Sequence, residues 1–236
     1  MRYFGNFAEA YAEIKRDLKE MGILTPSESM QNIDTQGQEG FDRLEVFGYD
    51  YRINGAMKFQ DFEDLPHFDW AEAELRERIS NQALNPGNAW RKWPEVWAKF
   101  LLTPESKPAL FHYAYAERIS CANQLANVAS ELRKRPNSRR CIISIWSLND
   151  SGRIEALARI PCSMYYQFVL RDNELHMIYN MRSCDIALHF PYDVALACGL
   201  RDYVITLLHD EKIKPGWFQH NIGSLHAYRK DLEGVF

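Results

Sequence analysis

The chain of 236 residues carries 28 Lys and Arg against 32 Asp and Glu, a net charge of −4, with 46% hydrophobic and 25% charged residues. A chain this long buries roughly 70% of the surface its unfolded form exposes, so it needs no disulfide staple. This ordinary globular composition excludes fibrous, collagenous and disordered classes, and the acidic balance argues against a broad grip on nucleic acid or an anionic membrane.

No apolar run approaches the ~18–20 residues needed to span a bilayer. Acidic residues arrive too early in MRYFGNFAEAYAEIKRDLKEMG for a signal peptide. The cysteines, Cys121, Cys141, Cys162, Cys184 and Cys198, form no CxxC pair and have no His at zinc spacing. The reading is a cytoplasmic protein with free thiols and no metal site.

In chain order, Asn6 and Glu9 form a capping box ahead of Phe7, Tyr11, Ile14 and Leu18 at helical spacing, and Gly22 closes that helix. The polar stretch from Thr25 to Glu39 reads as a loop, and Arg43 to Ile53 alternates as a strand does. Asp69 is expected to cap a helix holding Trp70, Ala73, Glu74 and Glu77. Asn85 to Trp97, with two prolines and three tryptophans, reads as irregular. Ile119, Ala122, Leu125, Val128 and Leu132 predict one helix that ends before Pro136.

The second half is strand-rich. Cys141 to Trp146, Ser163 to Leu170 and Glu174 to Asn180 read as strands, the last two joined by a tight turn at Arg171-Asp172-Asn173. Pro191 suits the first turn of a helix running to about His209, and Trp217 to Tyr228 reads as strand and loop. No repeat or linker interrupts the chain. The expectation is one α/β domain over residues 1–236, with one large mixed sheet flanked by helices.

Four clusters carry possible chemistry. Cys162 follows Pro161 where a loop enters a strand; a lone cysteine is equally a small buried hydrophobe, and a nucleophile needs a cation beside it. Arg139 and Arg140 precede a strand, where paired guanidiniums either face solvent or hold phosphate. Arg182, Ser183 and Asp185 crowd into one polar turn. His226 and Tyr228 share one face of an extended segment and reach a common hydroxyl.

Taken in order, these motifs resemble the thymidylate synthase family: a Ser138-Arg139-Arg140 strand, a Pro161-Cys162 strand ending in Gln167-Phe168, an Arg182-Ser183-x-Asp185 turn, a Phe190-Pro191-Tyr192 helix start and a final Gly223-x-x-His226-x-Tyr228. The resemblance implies a thymidylate synthase-like fold and a folate-dependent one-carbon transferase using 5,10-methylenetetrahydrofolate and a pyrimidine nucleoside monophosphate. It implies Cys162 as the nucleophile on C6 of the base, Arg182 and Ser183 as phosphate ligands, and His226 and Tyr228 as ribose ligands. Arg139 and Arg140 would reach the phosphate in the partner's site, making the enzyme a homodimer. Asp185 matches a carboxylate near pyrimidine and folate, Glu74 a glutamate that organises water, and Tyr113 a tyrosine near the C5 proton. For Glu74, an exposed helix carboxylate is an equal reading.

Asp193 stands where uridylate-using members carry asparagine. A carboxyl accepts from the cytosine amino group and favours protonation of N3, whereas it faces O4 of uracil with like partial charge, a mismatch that discriminates strongly. An aspartate also suits a first helical turn. With Asn180-Met181-Arg182-Ser183 and Gly223-Ser224-Leu225-His226, the chain resembles the deoxycytidylate hydroxymethylase branch known from T-even phages. The implied chemistry is thiolate addition to C6 of CMP or dCMP, attack of C5 on the methylene carbon, loss of the C5 proton with tetrahydrofolate, and hydration of the exocyclic methylene. The chain stops at Phe236, soon after Tyr228, and the implied site lacks the closing terminal segment of the synthases. Three alternatives stay open: a cytidylate methylase, a uridylate enzyme that tolerates Asp193, and a non-catalytic nucleotide- or RNA-binding relative. Two departures stand out: Asn32 to Asp42 contains no arginine before Arg43, and Ser163 replaces the histidine usual after the nucleophile.

Overall fold

The computed structural model describes residues 1–31, 33–102, 108–151 and 159–236. Asn32, inside the stretch expected as a loop, lies outside the described residues. The elements are β1 (Arg2–Phe4), α1 (Phe7–Met21), β2 (Ile23–Thr25), β3 (Ser29–Met30), β4 (Ile33–Asp34), β5 (Arg43–Ile53), α2 (Phe68–Ile79) and α3 (Pro94–Trp97). They continue with α4 (Tyr115–Ser120), α5 (Gln124–Lys134), β6 (Ile142–Ser144), β7 (Ser163–Arg171), β8 (Glu174–Asp185), α6 (Phe190–Leu208), β9 (Lys214–Tyr228) and α7 (Leu232–Val235).

Local chemistry accounts for most boundaries. The Asn6 side chain accepts from the Glu9 amide at 2.9 Å, and Glu9 reaches back to the Gly5 amide at 2.8 Å, closing the start of α1. The strand at Arg43–Ile53 matches its alternating pattern. The turn between β7 and β8 puts Asp172 and Asn173 at φ 50° and 61°, left-handed values that Asn and Asp tolerate in a two-residue hairpin. Helix α6 is largely apolar, and 13 of its 19 residues are buried, as befits a central helix.

Four expectations are corrected. Asp69 does not cap α2: His67 is the capping residue, and Asp69 lies in the first turn. The single helix expected over Ile119 to Leu132 is two, α4 and α5, because Ala122 and Asn123 take left-handed backbone at φ 55° and 53° and break the ladder. The polar stretch after Thr25 carries a small two-stranded ribbon, β3 with β4. The last strand is continuous over Lys214–Tyr228 rather than strand and loop.

One seven-stranded mixed sheet runs β1-β5-β9-β8-β7-β6, with β2 also on β5. Strands β8 and β9 are parallel, while β5 and β7 run antiparallel to them on either side. The C-terminal ends of β8 and β9 therefore meet the N-terminal ends of β5 and β7 at one end of the sheet. Arg182, Ser183, Asp185, His226 and Tyr228 sit at that end. Beneath it, Tyr166, Tyr179, His220 and Tyr51 form a row across four strands. Tyr179 stacks on Tyr166 and His220 at 4.5 and 4.7 Å between ring centroids, and the Tyr51 hydroxyl lies 3.1 Å from His220 Nδ1.

Arg201 ties α6 to this sheet. Fully buried, it donates to the Gly216 carbonyl at 2.9 Å and to the Met57 carbonyl. Arg201→Met is expected to cost about 2–4 kcal/mol of stability by orphaning both carbonyls. A urea midpoint equal to that of the unaltered chain would contradict this.

Candidate active site

The sheet end opens into a cavity lined by both halves of the chain. From the strands come Cys162, Arg182, Ser183, Asp185, His226 and Tyr228, and from the first turn of α6 comes Asp193. Tyr113 lines the same cavity. Eight residues singled out in the sequence are thus brought together.

Register explains the convergence. On adjacent parallel strands, Asp185 pairs with His226 and Ser183 with Ser224, while Arg43 of β5 pairs with Tyr228. Between β7 and β8, the Arg182 amide donates to the Cys162 carbonyl at 2.9 Å. The Arg182 guanidinium then donates to the carbonyls of Pro161 and Ile160 at 2.8 and 3.0 Å and lies 3.9 Å from the Cys162 sulfur. Proline at 161 and this arginine together fix the entry of the thiol into the cavity. Gln31, from the ribbon between β3 and β4, donates to the same sulfur at 3.4 Å.

Ser163 is fully buried and its hydroxyl bridges Tyr179 at 2.5 Å and Tyr115 at 3.0 Å, so the residue after Cys162, where the family pattern usually has histidine, here joins a chain of buried hydroxyls. His226 is buried, its Nδ1 3.4 Å from the Ser183 hydroxyl, and burial lowers its pKa to about 4, which keeps it neutral. Tyr228 stands edge-on to it at 5.5 Å.

The carboxyls are shifted by the dry surroundings. Burial raises Asp193 to about 7, against an opposing effect of Arg78 and of the Cys184 thiol that donates to it at 3.7 Å. Burial likewise raises Asp185 to about 6, although the Ala187 amide donates to it at 3.0 Å. Cys162 departs from the expectation that arginines hold its thiol low: burial pushes it above the ordinary thiol value, outweighing Arg182, with Asp193 adding to the rise.

Two predicted sets lie elsewhere. Glu74 sits on α2 in a smaller neighbouring cavity shared with Tyr113, Tyr115 and Trp97, its carboxylate paired with Arg78 at 2.9 Å. Arg78 carries that pair to the main cavity and lies 4.0 Å from the Tyr115 ring. Arg139 and Arg140 are exposed and outside this chain's own cavity; Arg140 lines a shallow groove with Glu131 and Arg135.

Sequence reading missed several cavity residues. Arg43, Arg159 and Lys99 add cationic side chains, and Trp70, Trp97 and His189 add an aromatic wall. Arg43, at the start of β5, has its Nη2 3.7 Å from Glu45. The one signal for Arg159 was its place three residues before Cys162. Among the described residues no group of three or more His, Cys, Asp or Glu is placed to hold a metal, and no helix is long and apolar enough to cross a membrane.

A family model described as thymidylate synthase matches residues 53–236. The thymidylate synthase of Mycoplasma genitalium is 34% identical over 227 residues, covering 82% of this chain and 75% of that protein. The thymidylate synthase of Mycoplasma pneumoniae is 28% identical over 192 residues, covering 79% of this chain and 58% of that protein. Among solved structures, thymidylate synthase from T4 phage superposes with a TM-score of 0.70 at 22% identity, over 95% of this chain and 78% of that one. Thermostable thymidylate synthase A from Bacillus subtilis gives 0.73 at 19%, over 96% and 81%. At these identities the structural likeness is one of fold.

Alkylation of Cys162 by iodoacetamide, followed on its own peptide by mass spectrometry, is expected to show a midpoint above the ~8.5 of a free thiol. Arg182→Gln should move the midpoint further up, because it removes the largest opposing charge. A profile unchanged by that substitution would contradict the electrostatic reading.

Proposed function

This chain belongs to the thymidylate synthase family, and on that premise we propose that it hydroxymethylates C5 of a cytidylate, dCMP or CMP. It is a folate-dependent one-carbon transferase whose co-substrate is 5,10-methylenetetrahydrofolate. The observation that carries the choice of base is Asp193, a carboxyl in the cavity of Cys162 that keeps its proton up to about pH 7.

Adding sulfur to C6 of cytosine places electron density on N3, which must take a proton. Asp193 supplies it and accepts from the N4 amino group with its other oxygen. An amide at this place lacks a proton to give. Uracil already carries hydrogen on N3 and needs only a fixed donor to O4.

The rest of the cavity fits a nucleoside monophosphate. Arg182, Ser183 and Arg43 face it with donors for phosphate, and neutral His226 with Tyr228 offers donors and acceptors for ribose. Arg139 and Arg140, exposed outside this cavity, are assigned to the partner's site in a homodimer. The aromatic wall of Trp70, Trp97 and Tyr113 fits a planar co-substrate, which supplies the methylene carbon. Tyr113 and Asp185 line the cavity of Cys162 and are assigned the C5 proton, and Glu74, in the smaller cavity shared with Tyr113, is assigned the ordering of water. Soluble cytoplasmic location accords with nucleotide chemistry.

A second reading, methyl transfer of the thymidylate synthase type, is favoured by the names of the relatives. The two differ in whether hydride or water completes the reaction. The test is tritium release from 5-tritiated dCMP, CMP and dUMP with methylenetetrahydrofolate, read beside dihydrofolate absorbance. Release from a cytidylate without dihydrofolate is expected; stoichiometric dihydrofolate would establish the second reading. Cys162→Ala should abolish release, and Asp193→Asn should move preference toward dUMP by at least tenfold. Base preference unmoved by Asp193→Asn would remove the cytosine assignment.

The sign of the pH dependence follows. The folded Asp193 value, about 7, lies above the ~3.9 of an unfolded aspartate. Between these values the fold retains a proton that the unfolded chain releases, and it gives that proton up as pH climbs through 7. Cytidylate turnover should therefore decline above about pH 7 in the native enzyme, and a flat profile to pH 9 would contradict the proton role.

A further inference from the structure

Arg159 is 5% exposed, and among the described residues its buried Nε has no hydrogen-bond partner. Among the described residues it meets no carboxylate within ion-pair distance. Its neighbours are rings: the guanidinium carbon lies 4.6 Å from the centroid of Tyr113, 5.0 Å from Trp97, 5.2 Å from Phe111 and 5.4 Å from Phe100. The side chain lines the main cavity and forms part of the wall of the smaller one.

Taking a guanidinium out of water is costly unless its donors are met. Aromatic faces offset part of that cost and supply no acceptor for its N–H groups. The other buried arginines show the contrast: Arg78 has Glu74, and Arg201 has two carbonyls. Of these three, Arg159 has neither a carboxylate nor a carbonyl partner among the described residues. Its place also separates it from the nucleotide groups. Arg182, Ser183, His226 and Tyr228 stand on β8 and β9, whereas the rings around Arg159 come from the segment between α2 and α4.

From this geometry we infer that Arg159 is a specificity-determining residue for the second ligand of the cavity, donating to an acceptor on the folate co-substrate as its planar ring enters beside Trp97. The inference rests on the reading of the cavity as a folate-dependent site. The acceptor is either a carbonyl of the pteridine ring or a carboxylate of the benzoylglutamate tail, since a guanidinium fork matches both. The same cation rewards an acceptor-bearing co-substrate and penalises an apolar analogue of similar shape, which would leave the donors buried and unmet.

The test is binding of folic acid and of dCMP, each followed by quenching of tryptophan fluorescence, in the full chain and in Arg159→Leu, Arg159→Lys and Arg159→Gln. Arg159→Leu is expected to weaken folic acid at least tenfold in the presence of dCMP and to leave dCMP alone within twofold. Arg159→Lys should recover part of the loss. Pterin-6-carboxylate and p-aminobenzoylglutamate name the acceptor: the fragment that loses affinity on substitution carries it. Should Arg159→Leu fail to give a native circular dichroism spectrum, Arg159→Gln, which keeps polar reach without the charge, takes its place with the same expected loss. Folic acid bound equally by native and substituted chains overturns the role of Arg159, as does an equal loss for dCMP. No folic acid binding by the native chain overturns instead the folate reading on which the inference rests.

Discussion

The contact between Arg182 and the chain around Cys162 is the constraint on which the site depends. A guanidinium on β8 spans the hairpin to hold two carbonyls just ahead of the cysteine, while its own backbone amide binds the cysteine carbonyl. The antiparallel register of β7 and β8 makes this possible, because it sets Ser163 opposite Met181 and so brings residue 182 beside residue 162. One side chain thereby fixes the approach to Cys162, places a positive charge 3.9 Å from its sulfur and offers remaining donors to the cavity. Polar groups held by a scaffold before substrate arrives need no reorganisation during reaction.

Dehydration is the second common cause. Burial raises Cys162, Asp185 and Asp193 and lowers His189 and His226. These groups come from β8, β9, α6 and the turns just ahead of β7 and α6, so the shifts reflect the cavity rather than any one local motif. Its aromatic walls and the row of Tyr166, Tyr179, His220 and Tyr51 beneath it keep water away from one end of the sheet. The Cys162 thiol and the two imidazoles rest neutral in such a place, while the arginines keep their charge.

The parts of the fold set by local chemistry were legible in the residues. Asn6 with the spacing of Phe7, Ile14 and Leu18 marks α1, alternation marks β5, and Pro191 marks the start of α6. The break at Ala122 was hidden, since alanine is a strong helix former and nothing in its small exposed side chain marks a left-handed backbone. The same division holds in the site. Cys162, Arg182, Asp193 and His226 stand in ordered motifs on strands and a helix start, and motif order carries their convergence. Gln31, Arg43 and Arg159 reach the cavity from a ribbon, a strand start and a loop, and only tertiary packing joins them. Glu74 shows the reverse case: its helix was readable, but its commitment to Arg78 was not.

A neutral thiol and a protonated carboxyl facing one pyrimidine have a consequence for the proposed chemistry. Addition of a thiol across C6 and N3 of cytosine is balanced as it stands: sulfur bonds to C6, the ring double bonds shift, and N3 gains hydrogen. Asp193 passes its proton to N3, and the proton lost by Cys162 goes to the Asp193 carboxylate so formed. No net charge is created in a medium that penalises charge. Addition to uracil instead develops negative charge on O4, which needs a permanent donor at the place where this chain has a group that ionises near neutrality. The same dryness that makes Cys162 a reluctant thiolate in the free protein thus favours the base whose activation consumes the carboxyl proton, and it ties nucleophile and base selection to one electrostatic condition.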